Sequence, residues 1–475
     1  MSEIMIGRDR ERRALERALT SPESEFVAVY GRRRVGKTFL VRQFFGQSFT
    51  FYASGLDGGG KAAQLDTFHE GLRRYGHPDP SRPADWMEAF RRLADLIDRA
   101  VGPGKKVVFL DELPWFDTPR SGFLAALDHF WNVRASARDD VILVACGSAT
   151  SWMATKLLKN KGGLHNRVTI RIPLSPFTLA ECEQFFASRG VVLTRYQMAE
   201  AYMVFGGVPF YLRQFDRTAG LAQNIDALYF APEGPLRQEF EILFSSLFGA
   251  TGHHRRFVEI LAATSKGLTR DELIRAARVA DGGTITATLA DLELSGFVRR
   301  ALPFGTTKKG TLFQLSDFFS RFHLSFLTEP PDGTFWTRFA TTPAHSAWAG
   351  PAFEQVAAAH IPQLKHALGI PAVHTTQASW RTRAADGRPG AQIDLVIDRD
   401  DGVINLCEMK WARRPYELTA DDTARLVERR ETFRERTKTA KALHLTMLTP
   451  YGLAQNAYAG EVQQDLALDA LFTPA

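Results

Sequence analysis

Three short apolar runs in the first third of the chain, FVAVY at 26–30, VVFL at 107–110 and VILVAC at 141–146, show no polar alternation. Runs of that length without a wet face predict strands covered on both sides, as in the parallel sheet of an α/β fold. The rhythm changes near residue 254. Phe257 to Thr264 is apolar at helical spacing, and a second helix starts after Leu268 with Thr269 as its cap. A third runs from about Thr284 through Leu289, Leu292 and Leu294 to Gly296, followed by two strand-like stretches, 297–302 and 311–315, around a loop holding Lys308 and Lys309. Further on, Gln392 to Asp398 and Val403 to Lys410 flank Asp400-Asp401-Gly402, which predicts a β-hairpin. The densely charged stretch Glu428 to Lys441 predicts a solvated helix.

What stands at the ends of the three apolar runs carries chemistry. The first ends in Gly31-Arg32-Arg33-Arg34-Val35-Gly36-Lys37-Thr38, with Phe39 next in the helix that follows. In a strand-loop-helix of this spacing, the glycines let backbone N–H groups curl toward phosphate oxygens while the helix presents its positive dipole end. Lys37 is then placed for the β and γ phosphates of a nucleoside triphosphate, and the Thr38 hydroxyl for Mg²⁺. The second run leads into Asp111-Glu112, with Asp111 as the metal-side carboxylate and Glu112 as the base that activates water. The third ends in Gly147-Ser148 at the carboxyl edge of the expected sheet, where ligands of open α/β folds collect. Ser148 is a candidate sensor of the γ-phosphate, with a turn-forming serine as the alternative.

At 475 residues the chain calls for about three domains, on a prior of roughly 150 residues each. Hydrophobic residues at 45% and charged residues at 24% exclude long disorder, collagen-like repeats and a coiled-coil rod. No apolar run approaches the ~18 residues a bilayer span needs, so no membrane association is expected. The cysteines, Cys146, Cys182 and Cys407, are too scattered for a disulfide framework or zinc site, which fits a reducing cytoplasm. His253-His254 lacks a third ligand at useful spacing and reads as loop. A net charge of +6 permits nucleic-acid contact without requiring it.

Taken together, GRRRVGKT, FLDELPWF, CGSATSWM, NRVTIRIPLSPFT and GGVPFYL resemble the prokaryotic ATPases often called archaeal-type, relatives of the AAA+ and STAND groups, over most of residues 1–245. The resemblance implies an ATP-binding core at 1–175 and a helical lid at 176–250. It implies that Ile6-Gly7-Arg8 packs near the adenine, that Gly207 and Pro209 belong to the lid facing the nucleotide, and that Arg167 or Arg171 senses the γ-phosphate or acts in trans as an arginine finger.

Three helices and a hairpin at 251–330 have the pattern of a winged helix, a DNA reader or else an autoinhibitory module or a docking module for a protein partner or a second copy. Its third helix carries no Lys or Arg, so Arg299, Arg300, Lys308 and Lys309 point to backbone contact rather than base reading. In the tail, 331–475, period-two alternation puts Glu408 and Lys410 on one strand face, where Asp394 on the neighbouring strand can join them. Converging carboxylates bind Mg²⁺ or Mn²⁺, and a nearby ammonium can orient water. Asp394 followed by Glu408-x-Lys410 resembles the PD-(D/E)XK nucleases, and Glu354 on an upstream helix matches a further acid of that superfamily. The usual proline before the aspartate is absent, with Ala391-Gln392-Ile393 in its place. The expectation is therefore an α/β P-loop NTPase core with a helical lid, a winged-helix domain and a restriction-endonuclease-like tail, acting with ATP and Mg²⁺ on DNA. The alternative is a STAND-like switch whose tail does not cut.

Overall fold

The computed structural model describes residues 5–46, 48–148, 152–158, 166–248, 252–264, 266–306, 310–327, 333–382 and 390–474. Lys308 and Lys309 fall outside them, as does part of the CGSATSWM segment. The chain forms two compact units, Met1–Pro176 and Phe177–Ala475.

The first unit is built on a five-stranded sheet of β1 (Glu25–Tyr30), β2 (Phe51–Ser54), β3 (Lys106–Asp111), β4 (Val141–Gly147) and β5 (Ile170–Pro173). Its order is β2-β3-β4-β1-β5, and every pairing is parallel. All residues of β3 and β4 are buried, as the unbroken apolar runs predict. Alternate residues divide between two cores. Phe26, Ala28, Val108 and Leu143 pack with Trp86, Phe90 and Trp131, while Val27, Val29, Phe109 and Val144 pack with Leu15, Leu40 and Val41. The strand order makes β1 and β3 the neighbours of β4, so the three chemistry-bearing strand ends lie side by side.

In the second unit one continuous core runs from Phe177 to Phe472, drawing the expected lid, middle and tail segments together. The helices Leu179–Ser188 and Arg195–Phe205 each open with a capping box, Thr178 with Glu181 and Thr194 with Gln197. The middle segment contains helices His254–Ala262, Arg270–Ala277 and Gly283–Leu294 and an antiparallel sheet of β6 (Leu268–Thr269), β7 (Val298–Ala301) and β8 (Leu312–Leu315) in the order β6-β8-β7. Thr269 caps its helix as expected, with Glu272 closing the box.

The tail holds a mixed sheet of β9 (Thr375–Thr382), β10 (Ala391–Arg399), β11 (Val403–Met409), β12 (Ala442–Thr449) and β13 (Gln464–Ala467), in the order β13-β12-β11-β10-β9. Strands β10 and β11 make the expected antiparallel hairpin, and helix Ala420–Thr437 crosses over to β12, which lies parallel to β11. That helix is not simply solvated. It buries Leu426, Thr432 and Phe433 against the sheet, because the apolar positions are few but share one face.

Candidate functional site

The loop after β1 has backbone demands that explain its residues. Gly31 has φ +151°, and a Cβ there would stand 2.2 Å from the Leu174 carbonyl oxygen. Gly36 (φ +92°) and Arg34 (φ 75°) are both in the left-handed region, and helix Lys37–Phe44 begins directly after them. Arg8 is buried beside this loop, its guanidinium donating to the carbonyls of Val35 (3.2 Å) and Ser175 (2.8 Å). Arg32 and Val35 are buried, while Arg33, Arg34 and Phe39 are half-buried.

Lys37 is buried, and its Nζ donates to the carbonyls of Gly31 and Arg32, both at 3.0 Å. Burial pulls its pKa down, opposed by Cys146, Glu112 and Asp111. Thr38 Oγ1 donates to Asp111 at 2.9 and 3.2 Å. Burial raises the Asp111 pKa, Glu112 adds to the rise, and the hydrogen bond from Thr38 works against it. The Cys146 thiol, pushed well up by burial, stays protonated beside Asp111. Cys146 was not singled out from the sequence, where its only signal is its place two residues before Ser148 at a strand end.

Glu112 adopts a left-handed backbone conformation, φ 44° and ψ 46°, one that non-glycine residues adopt at a cost. Its carboxylate accepts from the Ser148 hydroxyl (2.7 Å) and the Ser148 N–H (3.2 Å). The structure thus brings together Lys37, Thr38, Asp111, Glu112 and Ser148. Arg167 lies exposed in a turn and Arg171 exposed on β5. Pro209 opens the short helix Pro209–Leu212 of the second unit, after a Gly207 whose φ is +66° and whose Cβ would meet the Phe177 carbonyl oxygen at 2.2 Å.

Two hard oxygens, the Thr38 hydroxyl and the Asp111 carboxylate, suit Mg²⁺, which keeps most of its waters. The curled loop and an ammonium now resting on loop carbonyls suit a polyphosphate.

In the tail, pairing between β10 and β11 runs from Asp398↔Ile404 to Leu395↔Cys407, and Asp394 and Glu408 are the next residues beyond it. On its other side β10 breaks register against β9 between Ile393 and Val396, so Asp394 sits in a bulge, exposed between buried Ile393 and Leu395. Glu354, on helix Pro343–Ala359, has its pKa raised to about 8 by burial, then by Asp394 and Glu408, with Lys410 opposing. Glu354 therefore senses the other three groups, yet the four line two cavities. Glu354 and Asp394 share one with Leu395 and Met409. Glu408 and Lys410 line the other with Leu418, Leu426 and Met447, which belong to the core on the opposite face of the sheet.

Glu408 has a cation on each oxygen, Lys410 at 2.7 Å and Arg429 at 2.8 Å. Arg429, from the charged helix, carried no signal in the sequence beyond its charge. Among the described residues no three His, Cys, Asp or Glu side chains are grouped to hold a metal ion. The donor set for a tail Mg²⁺ or Mn²⁺ is thus not assembled in this arrangement.

Among the described residues no helix is long and apolar enough to cross a membrane. No family model matches the chain. It is 22% identical to an uncharacterized protein of Methanocaldococcus jannaschii over 424 residues, 86% of this chain and 88% of that one. Among solved structures it is similar to a Walker-type ATPase of Pyrococcus abyssi (TM-score 0.48, 17% identity, 68% of this chain and 97% of that chain). It is also similar to the ORC2 protein of Aeropyrum pernix in its ADPNP and ADP complexes (TM-score 0.43, 15% identity, 72% and 98%).

Proposed function

We propose that the chain binds ATP with Mg²⁺ at the loop after β1, hydrolyses it, and uses the nucleotide state to control a second unit that handles DNA. The observation that carries the ATP reading is one cluster at adjacent strand ends: buried Lys37 on the loop, Thr38 on Asp111, and Glu112 held by Ser148. Lys37 would leave the loop carbonyls for the phosphates, and Thr38 and Asp111 would hold the metal, whose charge offsets that of the phosphates. Glu112, oriented by Ser148, would accept the proton of the attacking water.

Lys37→Ala should abolish ATP binding in a filter or calorimetric assay. Glu112→Gln should bind ATP normally and turn it over at least ~100-fold more slowly, as loss of a general base does. Normal turnover in the glutamine variant would remove Glu112 from the role of base.

For DNA the support is the helix-and-hairpin segment with its basic β7 and the likeness of the tail motif to PD-(D/E)XK nucleases. A non-cleaving tail is the reading favoured by the cations on both Glu408 oxygens. A duplex incubated with Mg²⁺ or Mn²⁺, with and without ATP, decides between the two. Cleavage that Asp394→Ala and Lys410→Ala abolish would restore the nuclease reading.

A further inference from the structure

The cavity that holds Glu354 and Asp394 has another wall, formed by Arg299 of β7 and Arg321 of helix Phe318–Phe326. Neither guanidinium has a carboxylate within ion-pair distance among the described residues. Arg299 Nε donates to the neutral Gln314 side chain at 3.0 Å, and Arg321 Nη2 to the Leu315 carbonyl at 2.9 Å. Arg321 Nε is buried with no hydrogen-bond partner among the described residues. Burial lowers the pKa of each arginine to about 10, and Arg299 adds to the lowering at Arg321, so both remain charged at neutral pH and repel one another. Glu354 across the cavity does not balance them: burial first, then Asp394 and Glu408, raise its pKa against Lys410, and neither arginine is among the charges that shift it.

Two half-buried, charged guanidiniums without a counter-ion among the described residues are costly, and an anion would supply the missing partner. The cavity allows the centre of a water-sized molecule about 40 Å³, several times what one water needs. A planar fork of N–H donors matches the oxygens of a phosphate in a bidentate way, as it does those of a carboxylate, and a phosphate has enough oxygens to serve both arginines.

We propose that Arg299 and Arg321 form a binding site for one phosphate group, and that the phosphate belongs to a nucleic-acid strand that the tail acids face. The second clause rests on the DNA reading above; the phosphate site does not. Occupancy would place a phosphate between the segment that carries β7 and the tail carboxylates, giving the middle segment a direct part in presenting a strand to the tail.

The test must exclude the loop after β1, which also takes phosphate, so the full-length Lys37→Ala chain is the starting protein. Inorganic phosphate should raise its thermal midpoint in a concentration-dependent way. Adding Arg299→Gln or Arg321→Gln should weaken that response roughly 10- to 100-fold, the effect of one charge-assisted hydrogen bond. Adding Arg299→Lys should restore part of it, because charge returns without the fork.

If phosphate leaves the Lys37→Ala chain unmoved, or moves the glutamine variants equally, the site is refuted. A short duplex with and without a 5′-phosphate identifies the source: weaker binding of both by the glutamine variants marks a backbone phosphate, and of the phosphorylated one alone an end phosphate. Unchanged duplex binding with a lost response to inorganic phosphate would overturn the strand assignment and leave a small-anion site. A midpoint lowered by Arg321→Gln without phosphate, with its phosphate response intact, would mark a structural arginine and sink the proposal.

Discussion

Replacing Glu354 with glutamine should change how stability depends on pH, and the direction follows from its surroundings. The folded chain holds this carboxyl at a pKa of about 8, against 4.5 for the ordinary group, through burial and the nearby Asp394 and Glu408. Below 4.5 the group is protonated in both folded and unfolded chains and contributes no difference. As pH rises from there, the unfolded chain releases the proton while the folded chain keeps it, and stability falls by ~1.4 kcal/mol per pH unit. Above about 8 both forms are ionised and the loss levels off. The full window corresponds to roughly 5 kcal/mol at most, and to roughly 2–5 kcal/mol once residual solvation of a half-buried group is allowed for.

Glutamine is neutral at every pH and close in shape to the protonated acid. Glu354→Gln should therefore match the wild type below pH 4.5 and exceed it increasingly up to about pH 8. Calorimetric melts of both chains across that range measure the difference directly, since most other titrating groups cancel between them. At roughly 2–4 °C per kcal/mol for a domain of 150–250 residues, the gap at high pH should reach several degrees. A difference that stays flat from pH 5 to 9 would refute the raised pKa.

Gly31→Ala should cost more than the ~1–3 kcal/mol of a strained backbone conformation, because the new methyl also meets the Leu174 carbonyl oxygen; a melt of the variant measures it. Thr38→Ala should leave ATP binding without Mg²⁺ little changed and erase the gain that Mg²⁺ brings, as titrations with and without EDTA would show. Arg429→Gln should change stability by only about 0–1 kcal/mol, because the pair with Glu408 is partly solvated. Chemical denaturation reads this, and a loss of several kcal/mol would mean Arg429 does more than pair.

The loop after β1 was legible because its requirements are local. Gly31 and Gly36 answer backbone demands made within a few residues or by one neighbouring strand, and Lys37 and Thr38 follow at fixed offsets. The buried strands were legible for a similar reason, since an unbroken apolar run fits a sheet covered on both faces. Cys146 and Arg429 were not, because their roles depend on which strand or helix lies alongside. Arg299 was read as a backbone contact, but nothing in the sequence pairs it with Arg321, which comes to share its cavity only once the chain folds and Arg321 bonds the Leu315 carbonyl of β8. The two units were also less legible than the motifs. A lid, a middle segment and a tail can be separated by composition, but the sequence gives no sign that they share one core.

The tail shows why alternation alone misplaces a site. Period two would put Ile393, Leu395 and Ile397 on one face of β10, yet Ile393 packs with Val396 in one core while Leu395 and Ile397 pack in the other. The register break at Asp394 accounts for the switch, and it leaves that acid at a fork where β10 has ceased to pair with β11. The acids gathered near the fork are then neutralised by different means. Glu408 is balanced by Lys410 and Arg429, whereas Glu354, with no cation bonded to it among the described residues, keeps its proton up to about pH 8. A divalent cation entering here would have to draw Glu408 from its two partners and release the proton of Glu354. Any metal affinity of the tail should therefore rise with pH through the range in which Glu354 ionises, and proton release on metal addition, measured in weakly buffered solution, would detect that exchange.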